Sequence, residues 1–149
     1  MEPLDQILDA PVSSQPQMRY AGFWIRVGAY LIDGILLAVV NVILGLVIGS
    51  SSGSIGAALL VNAISIGIGL AYFAGLESSE KQATLGKQAV GIKVGNVNGE
   101  KITFANALGR YFGKIISGLL LGIGFMMVGW DEKKQGIHDK LADTYVFYA

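Results

Sequence analysis

Two long apolar runs organise the chain. Val27 to Gly49 carries a single charged side chain, Asp33, and Ile55 to Leu76 carries none. At 1.5 Å rise per residue, a run of roughly 20 residues matches one bilayer thickness. The pattern predicts spans over about 23–49 and 55–76. Ser50-Ser51-Ser52-Gly53-Ser54 between them is polar, uncharged and too short to hold a domain, so the spans turn back on each other as a helical hairpin.

Beyond Leu76 the period changes. Val90, Ile92 and Val94 alternate with Gly91 and Lys93, Asn98-Gly99 follows, and Ile102 and Phe104 alternate again. Alternation on both sides of an Asn-Gly pair predicts a β-hairpin within 77–104. Thr103 is placed to N-cap a helix from about Phe104, in which Arg110 and Lys114 stand among apolar and aromatic residues, a pattern suited to a membrane interface. The apolar run Ile115 to Trp130 contains Gly118, Gly122, Gly124 and Gly129 and is short for a span. Two topologies stay open for this segment. A third crossing sends Lys133, Lys134 and Lys140 to the far side. A re-entrant or broken-helix hairpin over about 105–130 keeps all 11 basic residues on one side and is favoured. It requires cover from the first two spans or a neighbouring subunit, because non-helical backbone inside a bilayer must be sheltered by protein or water. The expected fold is an all-α membrane protein with two transmembrane helices plus a short third span or re-entrant helical hairpin. A small cytoplasmic β-hairpin and a C-terminal segment 131–149 complete it.

Composition agrees: 52% of residues are hydrophobic and 15% charged, with mean hydropathy +0.54, outside the soluble range. The net charge is zero, so no global field attracts nucleic acid, and the lipid bilayer is the expected partner. Arg19 and Arg26 precede the first span and Lys81, Lys87, Lys93 and Lys101 follow the second, while the serine turn has no basic residue. The positive-inside rule then sets the N-terminus in the cytoplasm and the serine turn outside. Residues 1–18 hold Glu2, Asp5, Asp9 and all three prolines, unlike a signal peptide, and are expected to form a disordered, uncleaved cytoplasmic tail before the membrane domain at 19–149. The absence of cysteine removes disulfides, thiolate catalysis and thiolate metal sites.

Asp33 is the outstanding candidate, since an ionisable group at membrane depth costs about 2.5–3.5 kcal/mol and is a functional-site hypothesis by default. Arg26 lies two helical turns away on the same face, about 10 Å along the axis, with Tyr30 between them. Asn41, Asn62 and Ser65 could extend a polar stripe. Each charged residue has a structural alternative: snorkelling to headgroups for Arg26, and a buried ion pair or packing hydrogen bond for Asp33. Thr84-Leu85-Gly86-Lys87 lacks the first glycine and the Ser/Thr of a phosphate loop, so nucleotide binding is rejected. His138 is the single histidine, without a second ligand or a nucleophile beside it, so neither a metal site nor an enzyme is expected, and no cofactor. Small residues four apart, such as Gly45 with Gly49 and Gly109 with Gly113, permit close helix packing without naming a partner.

Three segments together resemble the RDD family of bacterial membrane proteins over about 20–147. They are Gly22-Phe23-Trp24-Ile25-Arg26 leading to Tyr30-Leu31-Ile32-Asp33, Thr84 to Lys87 with the stretch to Asn98-Gly99, and Trp130-Asp131 through Gln135-Gly136-Ile137-His138-Asp139-Lys140-Leu141-Ala142. The family is named for one arginine and two aspartates. The resemblance makes Arg26 the arginine, Asp33 the first aspartate and Asp139 the second, with Asp131 also at a family-like position. Leu85 stands where a proline is usual and Asp143 where a small residue is common. The resemblance implies a bacterial cytoplasmic (inner) membrane location and a role in transport, some members looking like sodium/proton antiporters. So small a chain could enclose a pathway only as a homo-oligomer, exchanging monovalent cations or protons at Asp33 with Arg26 tuning its charge. The competing expectation is a non-transporting membrane scaffold or assembly factor. There Arg26, Asp33, Asp139, Asp131, His138, Arg110, Asn41 and Asn62 supply a structural polar network.

Overall fold

The computed structural model describes residues 18–49, 54–120 and 122–149. The expected disordered tail, apart from Met18, and Ser50 to Gly53 of the serine turn lie outside the described residues. Both predicted spans are helical. Helix α1 (Phe23–Leu44) runs into a π-helical turn at Gly45–Gly49, and α2 (Ile55–Glu77) starts at Ser54, whose hydroxyl accepts the Ala57 N–H at 3.2 Å. Phe23–Ile48 and Ile55–Glu77 are each long and apolar enough to cross a membrane. Their apolar side chains point outward, Leu31, Ile35, Val42, Leu46, Leu59 and Ile66 all being more than half exposed. The buried residues of the pair sit at one end, where α1 starts and α2 finishes: Arg26, Ala29, Asp33, Gly69, Ala74 and Glu77.

A cap closes over that end. It comprises α3 (Leu85–Ala89), β1 (Ile92–Gly95), α4 (Phe104–Leu119), α5 (Ile123–Met126) with a 3-10 turn at Met127–Gly129, α6 (Ile137–Leu141) and β2 (Tyr145–Tyr148). The hairpin expected around Asn98-Gly99 is corrected by the structure: β1 pairs antiparallel with β2, placing Ile92 opposite Tyr148 and Gly95 opposite Tyr145. The turn itself forms, since Asn96 N–H bonds to Glu100 O at 3.0 Å and Asn96 Oδ1 accepts from Asn98 and Glu100 N–H. The chain beyond it is diverted, because Ile102 is drawn into the core and Thr103 caps α4 by accepting from Asn106 N–H. Tyr145, Val146 and Phe147 are all buried beside β1 whereas Phe104 is half exposed, and tertiary packing overrides the local turn signal. On the other side of β2, Tyr20 bridges Phe147, while Ala21 N–H and Tyr148 N–H donate to Val146 O and Arg19 O respectively.

Helix α4 is amphipathic in the inverted sense. Ala107, Arg110, Gly113 and Ser117, at helical spacing, are buried, whereas Phe112, Ile115, Ile116 and Leu119 face out. Gly113 allows α6 to cross closely, since a Cβ there would lie 2.9 Å from the His138 Cα. The axis then bends by 115° into α5 and its 3-10 turn. Ala21, Ala29, Ala74, Ile92, Val94, Ile102, Ala107 and Val146 form a small apolar core joining the sheet to the helix pair.

Candidate functional site

Four cations and two carboxylates meet beneath the cap. Glu77, the last residue of α2, takes Lys87 Nζ at 2.5 Å, Lys114 Nζ at 3.0 Å and Arg110 Nε at 2.8 Å. Arg110 Nη1 continues to Asp139 and to Thr144 Oγ1. Asp139 in turn receives Arg26 Nη1 at 2.5 Å and the Gly136 N–H at 3.1 Å. The rest of the Arg26 guanidinium is spent on Ala21 O and Lys134 O. Three elements distant in sequence, α1, α2 and α6, are thus tied together through one residue of α4. Asp139, Arg110 and Glu77 are at most 1% exposed, so removing any one strands buried charge.

Asp33 occupies a separate station. Its carboxylate accepts Tyr72 Oη at 2.7 Å, Thr84 Oγ1 at 2.6 Å and Gly86 N–H at 2.7 Å. In the first turn of α3 the Gly86 N–H thus meets a carboxylate, while the Leu85 and Lys87 N–H groups donate to Tyr72 Oη and Thr84 Oγ1, and the negative charge complements the helix start. Gly86 makes this approach possible: a Cβ there would lie 2.2 Å from Ala29 O and 2.7 Å from Asp33 Oδ1. The string Thr84-Leu85-Gly86-Lys87 holds an anion after all, and the anion belongs to its own chain.

Electrostatics follow from this burial. Desolvation pushes the Lys87 ammonium down to about 7, against the pull of Glu77. Burial likewise drives His138 to about 3, so its ring is neutral. Neither of its ring nitrogens is hydrogen-bonded among the described residues, and Nε2 stands 3.4 Å from Asp139 Oδ1. Burial alone would raise Asp139, but Arg110 and Arg26 hold it well below the ordinary carboxylate range. Tyr30 lies between the two stations, with Lys114 and Lys87 Nζ at 5.4 and 5.8 Å from its ring centre and Phe125 edge-on at 6.0 Å. Its other side borders a cavity of about 330 Å³ between α1 and α5, walled by Phe23, Val27, Leu31, Phe125 and Val128.

The RDD family pattern matches residues 20–143. This chain belongs to the RDD family. It is 38% identical over 147 aligned residues to the uncharacterized protein YxaI of Bacillus subtilis (strain 168), covering 86% of this chain and 97% of that one. It is also 33% identical over 143 residues to the uncharacterized membrane protein YteJ of the same organism, covering 87% and 81%. No solved structure matches the chain. Family membership and the two long apolar helices make it a membrane protein.

Of the residues singled out in the RDD sequence, the structure brings Arg26, Arg110 and Asp139 into one network. Arg26 does not reach Asp33; its guanidinium lies on Asp139 instead. Asp131 stays at the rim, paired with Lys140 at 2.5 Å and accepting from Lys133 and Gln135 N–H. The Ser65 hydroxyl meets Asn41 Oδ1 across α1 and α2, while Asn62 turns outward and, among the described residues, bonds Ala58 O of its own helix. Sequence reasoning missed Glu77, Thr84, Lys87, Lys114 and Thr144. Glu77 looked like the polar end of a span, and the usable signal was its spacing: Gly69, Ala74 and Glu77 recur on one face of an otherwise lipid-like helix.

Proposed function

We propose that this RDD protein is a non-transporting membrane scaffold, in which a helical hairpin holds a rigid, polar-sealed cap at one face of the bilayer. The observation that carries this reading is the structural engagement of Asp33, which is held by α2, the α3 cap residue and α3 itself. Three donors already occupy its carboxylate, and the Arg26 guanidinium is equally spent. A cation would have to displace the contacts that dock α3. Arg26 at the start of α1, Glu77 at the end of α2 and Asp139 beyond α5 share one network. That supports two crossings with 104–129 re-entrant, and basic residues on the cytoplasmic side of a bacterial inner membrane. The inverted face of α4 suits this placement.

A second reading, an oligomeric proton-coupled cation exchanger, draws on Lys87, a buried ammonium poised near neutrality that could give up a proton. Sodium-driven proton movement in proteoliposomes separates the two, using wild type and an Asp33→Asn variant of equal oligomeric size. The scaffold reading expects no flux above empty liposomes with sodium, lithium or potassium, and lowered stability in the variant. Wild-type flux that vanishes in a folded Asp33→Asn protein overturns it.

A further inference from the structure

The buried network is not electrically balanced. Among the described residues, Arg26, Lys87, Arg110 and Lys114 form ion pairs with Glu77 and Asp139 alone. Adding Asp33, which is bonded to Thr84 and Gly86 beside Lys87, still leaves four cations against three carboxylates. The surplus sits where α1, α3 and α4 converge. Arg110 is fully buried, its Nε and Nη1 are engaged, and its Nη2 has no hydrogen-bond partner among the described residues. Beside it the half-buried Tyr30 ring lies under both ammonium groups, with Lys87 Nζ and Lys114 Nζ at 5.8 and 5.4 Å from its centre. A buried guanidinium N–H without an acceptor is costly, as is buried charge without a counter-charge.

We propose that Arg110 Nη2, Lys114 Nζ, Lys87 Nζ and the Tyr30 hydroxyl bind one small monovalent inorganic anion of the chloride class, taken up together with a proton on Lys87. The charge deficit sets the valence, since one negative charge completes the balance and a divalent anion overshoots it. Burial sets the size, because the Lys87 and Arg110 side chains are at most 1% exposed and that of Lys114 only 12%. A lipid headgroup or an organic acid could not follow the anion inward. Ammonium and guanidinium groups together with a phenol hydroxyl give charge-assisted bonds to an anion and leave nothing for a cation.

The proton enters through Lys87. It is faced by Glu77 from α2, by Arg110 and Lys114 from α4 and by Tyr30 from α1, with Asp33 bound to the adjacent turn, while Lys93 of β1 turns away to Phe147. With Lys87 neutral, three cations meet three carboxylates and no anion is required. With Lys87 charged, the surplus returns and an anion removes it. Burial already places that ammonium near neutrality. By linkage, anion affinity rises as pH falls through this range, and a bound anion raises the proton affinity of Lys87 by the same factor. The site stands whether or not the protein carries flux.

The test uses the full chain in nanodiscs of uncharged lipid, replacing gluconate by chloride at constant ionic strength and reading the melting temperature and the 35Cl line width. At about pH 6 chloride should raise the melting temperature by several degrees, with saturation, and bromide should substitute while sulfate does not. At about pH 8.5 the shift should fall by more than half. Lys87→Met should abolish both the chloride effect and its pH dependence, and Tyr30→Phe should weaken chloride binding several-fold. No difference between chloride and gluconate at either pH overturns the proposal, as does a non-saturating salt effect or an undiminished chloride effect in Lys87→Met. If Lys87→Met does not fold, Tyr30→Phe decides alone, and unchanged chloride affinity there refutes the site.

Discussion

The two ends of the α1–α2 pair are made of opposite materials. Toward the serine turn, Val39, Val42, Ile43, Leu46, Val47, Leu59 and Leu60 face outward, and a cross-helix bond between Ser65 and Asn41 joins the helices. At the other end, beside the small apolar core, the buried groups are charged: Arg26, Asp33, Glu77, Lys87, Arg110 and Asp139. Lipid explains the contrast. Apolar side chains gain little by leaving acyl chains for a protein interior, whereas unpaired polar groups have strong reason to find one another. Hydropathy puts the outer end in the membrane, and polar pairing specifies the inner end.

The largest effect should come from breaking the inner end at its centre. Asp139→Asn leaves Arg26 and Arg110 facing an uncharged amide and should cost about 3–5 kcal/mol, read as reversible unfolding in mixed micelles or as loss of monodisperse protein. A conservative outer change sharpens the contrast, since Val42→Leu should shift stability by no more than about 0.5 kcal/mol. An equal loss from both would erase the distinction between the two ends.

Next comes the α1–α3 approach. Gly86→Ala forces a methyl group against Ala29 O and Asp33 and should cost about 1–3 kcal/mol by overpacking. Asp33→Asn keeps the shape but weakens three accepted bonds, for a loss of about 1–3 kcal/mol in the same assay. If the carboxylate matters only as the seat of α3, the double variant should lose much less than the sum of the singles.

The smallest effect is the dependence on pH. Lys87 falls from 10.5 to about 7 on folding, so between those values the unfolded chain binds more protons and stability should rise with pH, levelling off above 10.5. His138, lowered from 6.5 to about 3, acts in the same direction between those values. Asp139, held low, protects the fold above the ordinary Asp range, and that protection is lost as pH falls through its folded value. Melting curves across the range should therefore show stability rising from acid to alkaline conditions. Lys87→Met should flatten the upper part only.

Uninterrupted apolar runs made the two spans legible, and Thr103 announced the start of α4. Asp33 stood out because charge at membrane depth requires a reason, Arg26 as the nearest cation, Arg110 as a cation among apolar residues, and Asp139 through the RDD resemblance. The strand partner of β1 was not legible: Asn98-Gly99 offered a local hairpin, while β2 lies some fifty residues away and competes through burial that no window of sequence displays. Glu77, Lys87 and Lys114 were hidden differently. Each sits at the edge of an apolar run, where charge ordinarily marks solvent, and only the folding of α4 across the end of α2 turns that edge into an interior.

The bond between Arg26 and Asp139 spans 113 residues of chain. Synthesis proceeds from the N-terminus at roughly 5–20 residues per second, so Asp139 emerges on the order of ten seconds after Arg26. Throughout that interval Arg26 lacks its Asp139 partner, and Asp33 waits for Thr84 and Gly86. A chain whose first span inserts before Asp139 is made has no Asp139 for that guanidinium, which is then free to reach headgroups. A chain cut short before Asp139 keeps both apolar runs yet carries an arginine without that partner at their end, which distinguishes it from the finished protein.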